Sequence, residues 1–148
     1  MGASRDEEAP AETPIVILLD THVLVWFRQG SERMGKRARR RIDAALREGV
    51  LAVSAFSFWE VAMLARAGRL GLRVTVDEFR TATLGAGVLE VPVDGAIVVL
   101  STRLSGMHGD PADRIIIASA IAQGAILATA DENMLAMRGG PACLDATS

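Results

Sequence analysis

One cysteine, one lysine and two histidines occur in 148 residues, and each scarcity closes off a kind of chemistry. Cys143 alone cannot form an internal disulfide, so a reducing, cytoplasmic setting is expected. His22 and His108 with one distant cysteine do not make a closed zinc site, which takes four protein ligands. No glycine-rich phosphate loop of the P-loop type is present, which argues against a nucleotide-driven switch. No apolar run reaches the ~20 residues that a bilayer crossing requires, and Asp20 interrupts the most hydrophobic one, so no membrane partner is expected. A global basic field is also missing, because the net charge is -2. Nucleic-acid binding would have to come from a local patch or from metal ions.

Apolar residues, in contrast, make up 50% of the chain, enough for a substantial core at a length that suits one domain. The first fourteen residues are set apart by Asp6, Glu7, Glu8 and Glu12 with Pro10 and Pro14. They lack the basic start and apolar centre of a signal peptide and are expected to be a disordered acidic leader. Residues 15–145 are then the single folded unit, with no repeat or interdomain linker inside it.

Strand and helix patterns alternate through that unit. Ile15–Leu19 is a continuous apolar run, as expected of a strand covered on both faces. Further strands are expected at Val50–Val53, Val88–Val93 and Ala125–Ala128, with an edge strand at Ala142–Leu144. Between them the spacing predicts helices at Val23–Arg28, Gly35–Glu48, Ser54–Ala67, Asp77–Gly85, Ala96–Leu104 and Pro111–Gln123. A short helix follows at Asp131–Met137. Strands separated by helices indicate an α/β sandwich with a mainly parallel sheet.

The acids stand at particular places in this pattern. Asp20 follows the first strand, Glu60 lies six residues past Ser54 at the end of the second, Asp110 and Asp113 open the helix from Pro111, and Asp131 follows the fourth strand. In a parallel sheet, ligands bind outside the carboxyl ends of the strands. Carboxylates gathered there repel one another unless a cation sits between them, which makes a divalent metal the natural inference. Each acid also has a structural reading. Asp20, Asp110 and Asp131 sit where helix N-caps are wanted, and Ser57 with Glu60 has the spacing of a capping box. The two readings are compatible, since a helix N-terminus favours the ionised carboxylate that a metal requires.

The segments Leu19-Asp20-Thr21-His22-Val23-Leu24-Val25-Trp26, Val53-Ser54-Ala55-Phe56-Ser57-Phe58-Trp59-Glu60-Val61-Ala62, His108-Gly109-Asp110-Pro111-Ala112-Asp113-Arg114 and Thr129-Ala130-Asp131 appear in a distinctive order. Together they resemble the PIN-domain family, specifically the VapC-like toxins of bacterial toxin–antitoxin pairs, over about Ile15 to Leu144. This resemblance implies a three-layer α/β/α domain with a mainly parallel central sheet, and an endoribonuclease dependent on one or two Mg²⁺ or Mn²⁺ ions. Position by position, the family's acids fall on Asp20, Glu60, Asp113 and Asp131, all candidate metal ligands. Its supporting hydroxyls fall on Ser54 and Thr129. Asp110 matches an acid often found beside the site and is assigned a capping or outer supporting role. The resemblance further implies a small antitoxin that covers the site, and a homodimer; Phe56, Phe58, Trp59 and Met63 are candidates for such contacts or for the core. The acidic leader is no part of the family pattern.

Other readings of the sequence are weaker. Receiver domains and haloacid dehalogenase-like phosphatases also place an Asp after their first strand, but both call for a late lysine, and Lys36 is early. A non-catalytic PIN-like interaction module would be marked by loss of one of the four acids, and none is lost. The basic run from Arg33 to Arg41 offers Arg37, Arg40 and Arg41 as RNA-phosphate contacts, or forms a solvated helix face. Trp26 and Trp59 are expected to pack in the core or an interface rather than stack on bases.

Overall fold

A computed structural model describes residues 14–105 and 110–148, so the leader before Pro14 and His108 lie outside the described residues. The strands are β1 (Ile17–Leu19), β2 (Leu51–Ser54), β3 (Leu89–Val91), β4 (Ile126–Thr129) and β5 (Cys143–Asp145). They form one parallel sheet in the order β3-β2-β1-β4-β5. Helices α1 (Thr21–Gln29), α2 (Lys36–Arg47), α3 (Ala55–Arg66) and α4 (Val76–Gly85) make the connections as far as β3. Helices α5 (Gly95–Ser101), α6 (Pro111–Ala122) and α7 (Glu132–Leu135) make the rest.

Period-two alternation in fully buried strands divides the core into two layers. Ile17, Leu19, Leu51 and Val53 pack with Leu24, Ile42, Phe58 and Phe79 from α1 to α4. Leu18, Ala52 and Leu127 face the other way, towards Ile97, Ile116, Ile117 and Met134 from α5 to α7. The chain runs outward from β1 to β3 with helices on one face, then returns to β4 and β5 with helices on the other. Right-handed crossovers require that change of face. The reversal leaves a switch point between β1 and β4, where the segments that follow the two strands leave towards opposite faces and a crevice opens. Asp20 is the first residue beyond β1, and its N–H still pairs with the Ala128 carbonyl at 3.0 Å.

The expected elements are all present, with shifted edges. Helix α1 begins at Thr21, two residues early, because Asp20 itself caps it. The cap of α4 is Thr75, which forms a true capping box with Glu78. The expected box at Ser57 and Glu60 does not form: Ser54 caps α3, and both residues lie inside that helix. Among the described residues, no helix is long and apolar enough to cross a membrane.

Helix α2 lacks a side-chain cap. Its N-cap is Gly35, and the orphan donors find backbone oxygens from the last residues instead. The Gly35 N–H donates to Ala146 and the Ala38 N–H to Ser148, at 2.9 and 3.1 Å. A Cβ on Gly35 would come within 1.9 Å of the Ser148 oxygen and 2.4 Å of the Thr147 oxygen, so the backbone of both residues would have to move and give up the Ser148 bond to α2. Gly35→Ala is therefore expected to destabilise the fold by about 1–3 kcal/mol, the usual cost of overpacking. Denaturant unfolding of the two proteins checks this, and an unchanged midpoint would contradict the close approach.

Candidate active site

At the switch point the side chains are held by the elements that deliver them. Asp20 is 6% exposed. Its Oδ1 accepts the Val23 N–H at 2.9 Å, and its Oδ2 accepts the Thr129 hydroxyl across the β1–β4 seam. Thr129 in turn accepts the Asp131 N–H at 3.0 Å. The Asp131 Oδ1 caps α7 through the Asn133 and Met134 N–H groups. On the other side of Asp20, the Thr21 hydroxyl donates to Glu60 and stands 2.9 Å from the Ser57 hydroxyl. A threonine has one hydroxyl proton, so Ser57 is the donor in that second contact. Asp110 caps α6 by accepting the Ala112 N–H at 3.0 Å. Asp113 projects from the first turn of the same helix.

These groups line a cleft of about 450 Å³. Asp20, Glu60, Asp110, Asp113 and Asp131 all reach it, with His22 and Trp26 beside them and Ile116 and Met134 forming an apolar wall. The structure thus brings together the four acids carried over from sequence, with Asp110 as a fifth. Thr129 works one layer below, as the donor that orients Asp20. Ser54 is wholly buried, does not line the cleft, and accepts the Phe56 N–H at the start of α3. Thr21 and Ser57 stand outside the set expected from sequence, and together they fix the orientation of Glu60.

The charges in this cleft are unfavourable as they stand. Burial, then the carboxylates of Asp110, Glu60, Asp131 and Asp20, push the Asp113 carboxyl up to about 7. Asp20 is raised by burial against the opposing pull of its Thr129 and Val23 hydrogen bonds. Glu60 is raised by burial despite the Thr21 hydrogen bond. The ion pair between Arg80 and Glu90 involves none of these acids.

A divalent cation fits this donor set. Asp20 spends one lone pair per oxygen on its donors and keeps another on each, and Asp113 accepts no hydrogen bond among the described residues. No three His, Cys, Asp or Glu side chains among those residues already form a protein cage for an ion. Mg²⁺ does not need one, because it keeps several waters and binds through one or two carboxylates.

The remaining candidates lie elsewhere. Arg37, Arg40 and Arg41 do not line the cleft; Arg41 borders a groove with Ile17, Val50 and Ile126, at the start of the strands. Phe58 is a core residue packed edge-on against Phe79 at 6.3 Å. Trp59 is 54% exposed and stacks on Phe56 at 5.0 Å, so the core is excluded for it.

Residues 17–140 match the PIN domain family. The chain belongs to that family. This PIN domain is 34% identical over 123 residues to Ribonuclease VapC22 of Mycobacterium tuberculosis, an alignment covering 82% of the chain and 92% of the relative. Among solved structures, it resembles the DNA-bound VapBC of Salmonella typhimurium with a TM-score of 0.62 and 15% identity, covering 89% of this chain and 98% of that one. A toxin–antitoxin complex from Klebsiella pneumoniae gives a TM-score of 0.58 and 20% identity, covering 88% and 97% respectively. At those identities the structural likeness speaks for the fold, and the sequence relative speaks for the family.

Proposed function

We propose that this PIN domain is a metal-dependent endoribonuclease, the toxin of a toxin–antitoxin pair, acting on RNA in the cytoplasm. The observation that carries the reading is the convergence of five carboxylates on one switch-point cleft in a chain with a ribonuclease relative. A bound Mg²⁺ or Mn²⁺ supplies an activated water and neutralises charge developing on phosphate oxygens. Asp20 and Asp113 are the residues to hold that ion, with Glu60 and Asp131 binding directly, through water, or to a second one. Thr129 and the α1 N-terminus aim the Asp20 carboxylate, and the Thr21–Ser57 pair aims Glu60. The scissile phosphate lies over the cleft, and no side chain acts as a covalent nucleophile.

The acidic cleft repels RNA phosphates unless a cation is present, so substrate binding and metal binding are coupled. Arg37, Arg40 and Arg41 are assigned phosphates away from the cut. The partner is a small antitoxin that inserts a basic side chain among the acids, as the imbalance of charge invites. The stacked Phe56–Trp59 pair is assigned to a protein contact, either with that partner or with a second copy in a homodimer.

Metal-stripped protein incubated with total RNA should leave it intact and should cut it when Mg²⁺ or Mn²⁺ is restored, with new ends mapped by sequencing. Cleavage that persists unchanged in chelator would defeat the metal assignment. RNA that stays whole under every condition would favour the non-catalytic module.

A further inference from the structure

Helix α2 carries a row of cations that no ion pair in the described fold balances. At 100° per residue, Lys36, Arg37, Arg40, Arg41 and Arg47 fall on one face, away from the buried Ala38, Ile42 and Ala45. Lys36 with Arg40 and Arg37 with Arg41 stand four residues apart, a spacing at which like charges repel. Asp43 on the same helix and Glu48 just after it do not form ion pairs with any of the five. Arg39, off that face, is occupied by the Ser31 carbonyl at 3.0 Å.

The chain enters the described fold beside this helix. Pro14 and Ile15 share a groove of about 430 Å³ with Arg41, Ala44 and Glu48. Ahead of Pro14 come Glu12, Glu8, Glu7 and Asp6, opposed by Arg5 alone. The negative excess of a chain with net charge -2 is therefore concentrated in that segment, and the remainder is slightly basic.

We propose that the acidic segment from Asp6 to Glu12 docks along the basic face of α2, as a tethered polyanion occupying Arg37, Arg40 and Arg41. Pro14, where the described fold begins, already borders Arg41, and Glu12 is two residues ahead of it in sequence. An extended chain advances about 3.3 Å per residue and a helix about 1.5 Å, so a few residues ahead of Pro14 are enough to span the roughly 6 Å of axis between Arg41 and Arg37. Exposed charge pairs are individually weak and are screened over about 8 Å at physiological salt. Tethering offsets this with a local concentration on the order of millimolar. The dock is filled at low salt and released as salt rises. Where RNA uses the same arginines, an extension that rests on the ribonuclease reading, the segment competes with it.

The test compares the full chain with a full-length variant carrying D6N, E7Q, E8Q and E12Q. Backbone amide shifts of Lys36–Arg47 should differ between the two at about 0.03 M salt and coincide at about 0.5 M. Amides of Leu18 and Leu127, in the opposite core layer, should not move. A single-stranded oligouridylate probe should bind the neutralised variant about three- to tenfold tighter at low salt. Identical α2 shifts in the two proteins would overturn the proposal. If those amides then moved only on adding the oligouridylate, the face would belong to nucleic acid instead. The shift comparison involves no RNA, so its failure would leave the ribonuclease reading standing.

Discussion

Asp20→Asn and Asp113→Asn should each lower metal-dependent RNA cleavage by more than about 100-fold while leaving the protein folded. Residues that merely orient metal ligands already cost about 10–100-fold when changed, so losing a ligand's charge should cost more. The substitution is nearly isosteric at both positions. After Asp20→Asn the side-chain oxygen can still accept the Val23 N–H, so the start of α1 survives. The new amide nitrogen cannot accept the Thr129 hydroxyl, and the side chain offers a cation one neutral oxygen in place of a carboxylate. Asp113→Asn removes a half-buried carboxylate of the cleft and disturbs no hydrogen bond among the described residues. Cleavage assays on metal-loaded protein, paired with circular dichroism, separate the two effects. Full activity in a folded Asp20→Asn protein would remove this cleft from consideration.

Stability should move the other way. In metal-stripped protein, Asp113→Asn is expected to stabilise the fold above neutral pH by about 1–2 kcal/mol. The sign follows from proton linkage. The Asp113 carboxyl titrates near 3.8 when unfolded and at about 7 when folded. Between those values the folded state holds the proton more tightly, so wild-type stability falls as pH rises from about 4 to about 7. Above that window the whole penalty is present. Taken without screening, the shift corresponds to about 4 kcal/mol, but water reaches this half-buried group and reduces both the desolvation cost and the repulsion. Denaturant midpoints measured across pH in chelator should therefore decline for the wild type and flatten for the variant. Adding Mg²⁺ should restore wild-type stability more than that of the variant, by ligand linkage. A variant less stable than the wild type above neutral pH would show that neither burial nor the neighbouring carboxylates penalise the Asp113 charge.

The two results share one cause. On the proposed function, cleavage requires negative charges buried and gathered more closely than the fold alone favours, a familiar conflict between activity and stability. It also explains why the acids can be read in two ways from sequence. Asp20, Asp110 and Asp131 are N-caps, as their positions suggest, and they also line the cleft. The helix starts that organise the fold are the same points that deliver carboxylates to the site.

The strands and the layer arrangement are legible because apolar runs and helical spacing leave few alternatives in a chain with covered strands. Local spacing fails where tertiary contacts decide. Ser57 and Glu60 have the separation of a capping box, yet Ser54 ends the strand with extended backbone and takes the cap itself. That frees Ser57 to meet Thr21, 36 residues earlier in the chain, and no local pattern encodes such a partner. Trp59 is equally opaque, because an aromatic residue in an apolar helix reads as core until the helix's orientation is known. Thr75 is hard to pick out because its helix opens on Val76, which hides the cap behind an apolar residue.

The hydrogen bond between Asp20 and Thr129 spans 109 residues of sequence. Translation makes β1, β2 and β3 before β4, so the seam that aims Asp20 cannot close until Thr129 has emerged. A nascent chain still inside the ribosome's exit tunnel beyond α6 has one wall of the cleft and no Thr129 or Asp131 opposite it. In this order of assembly the five carboxylates that line the cleft come together only after the sheet has gained its fourth strand.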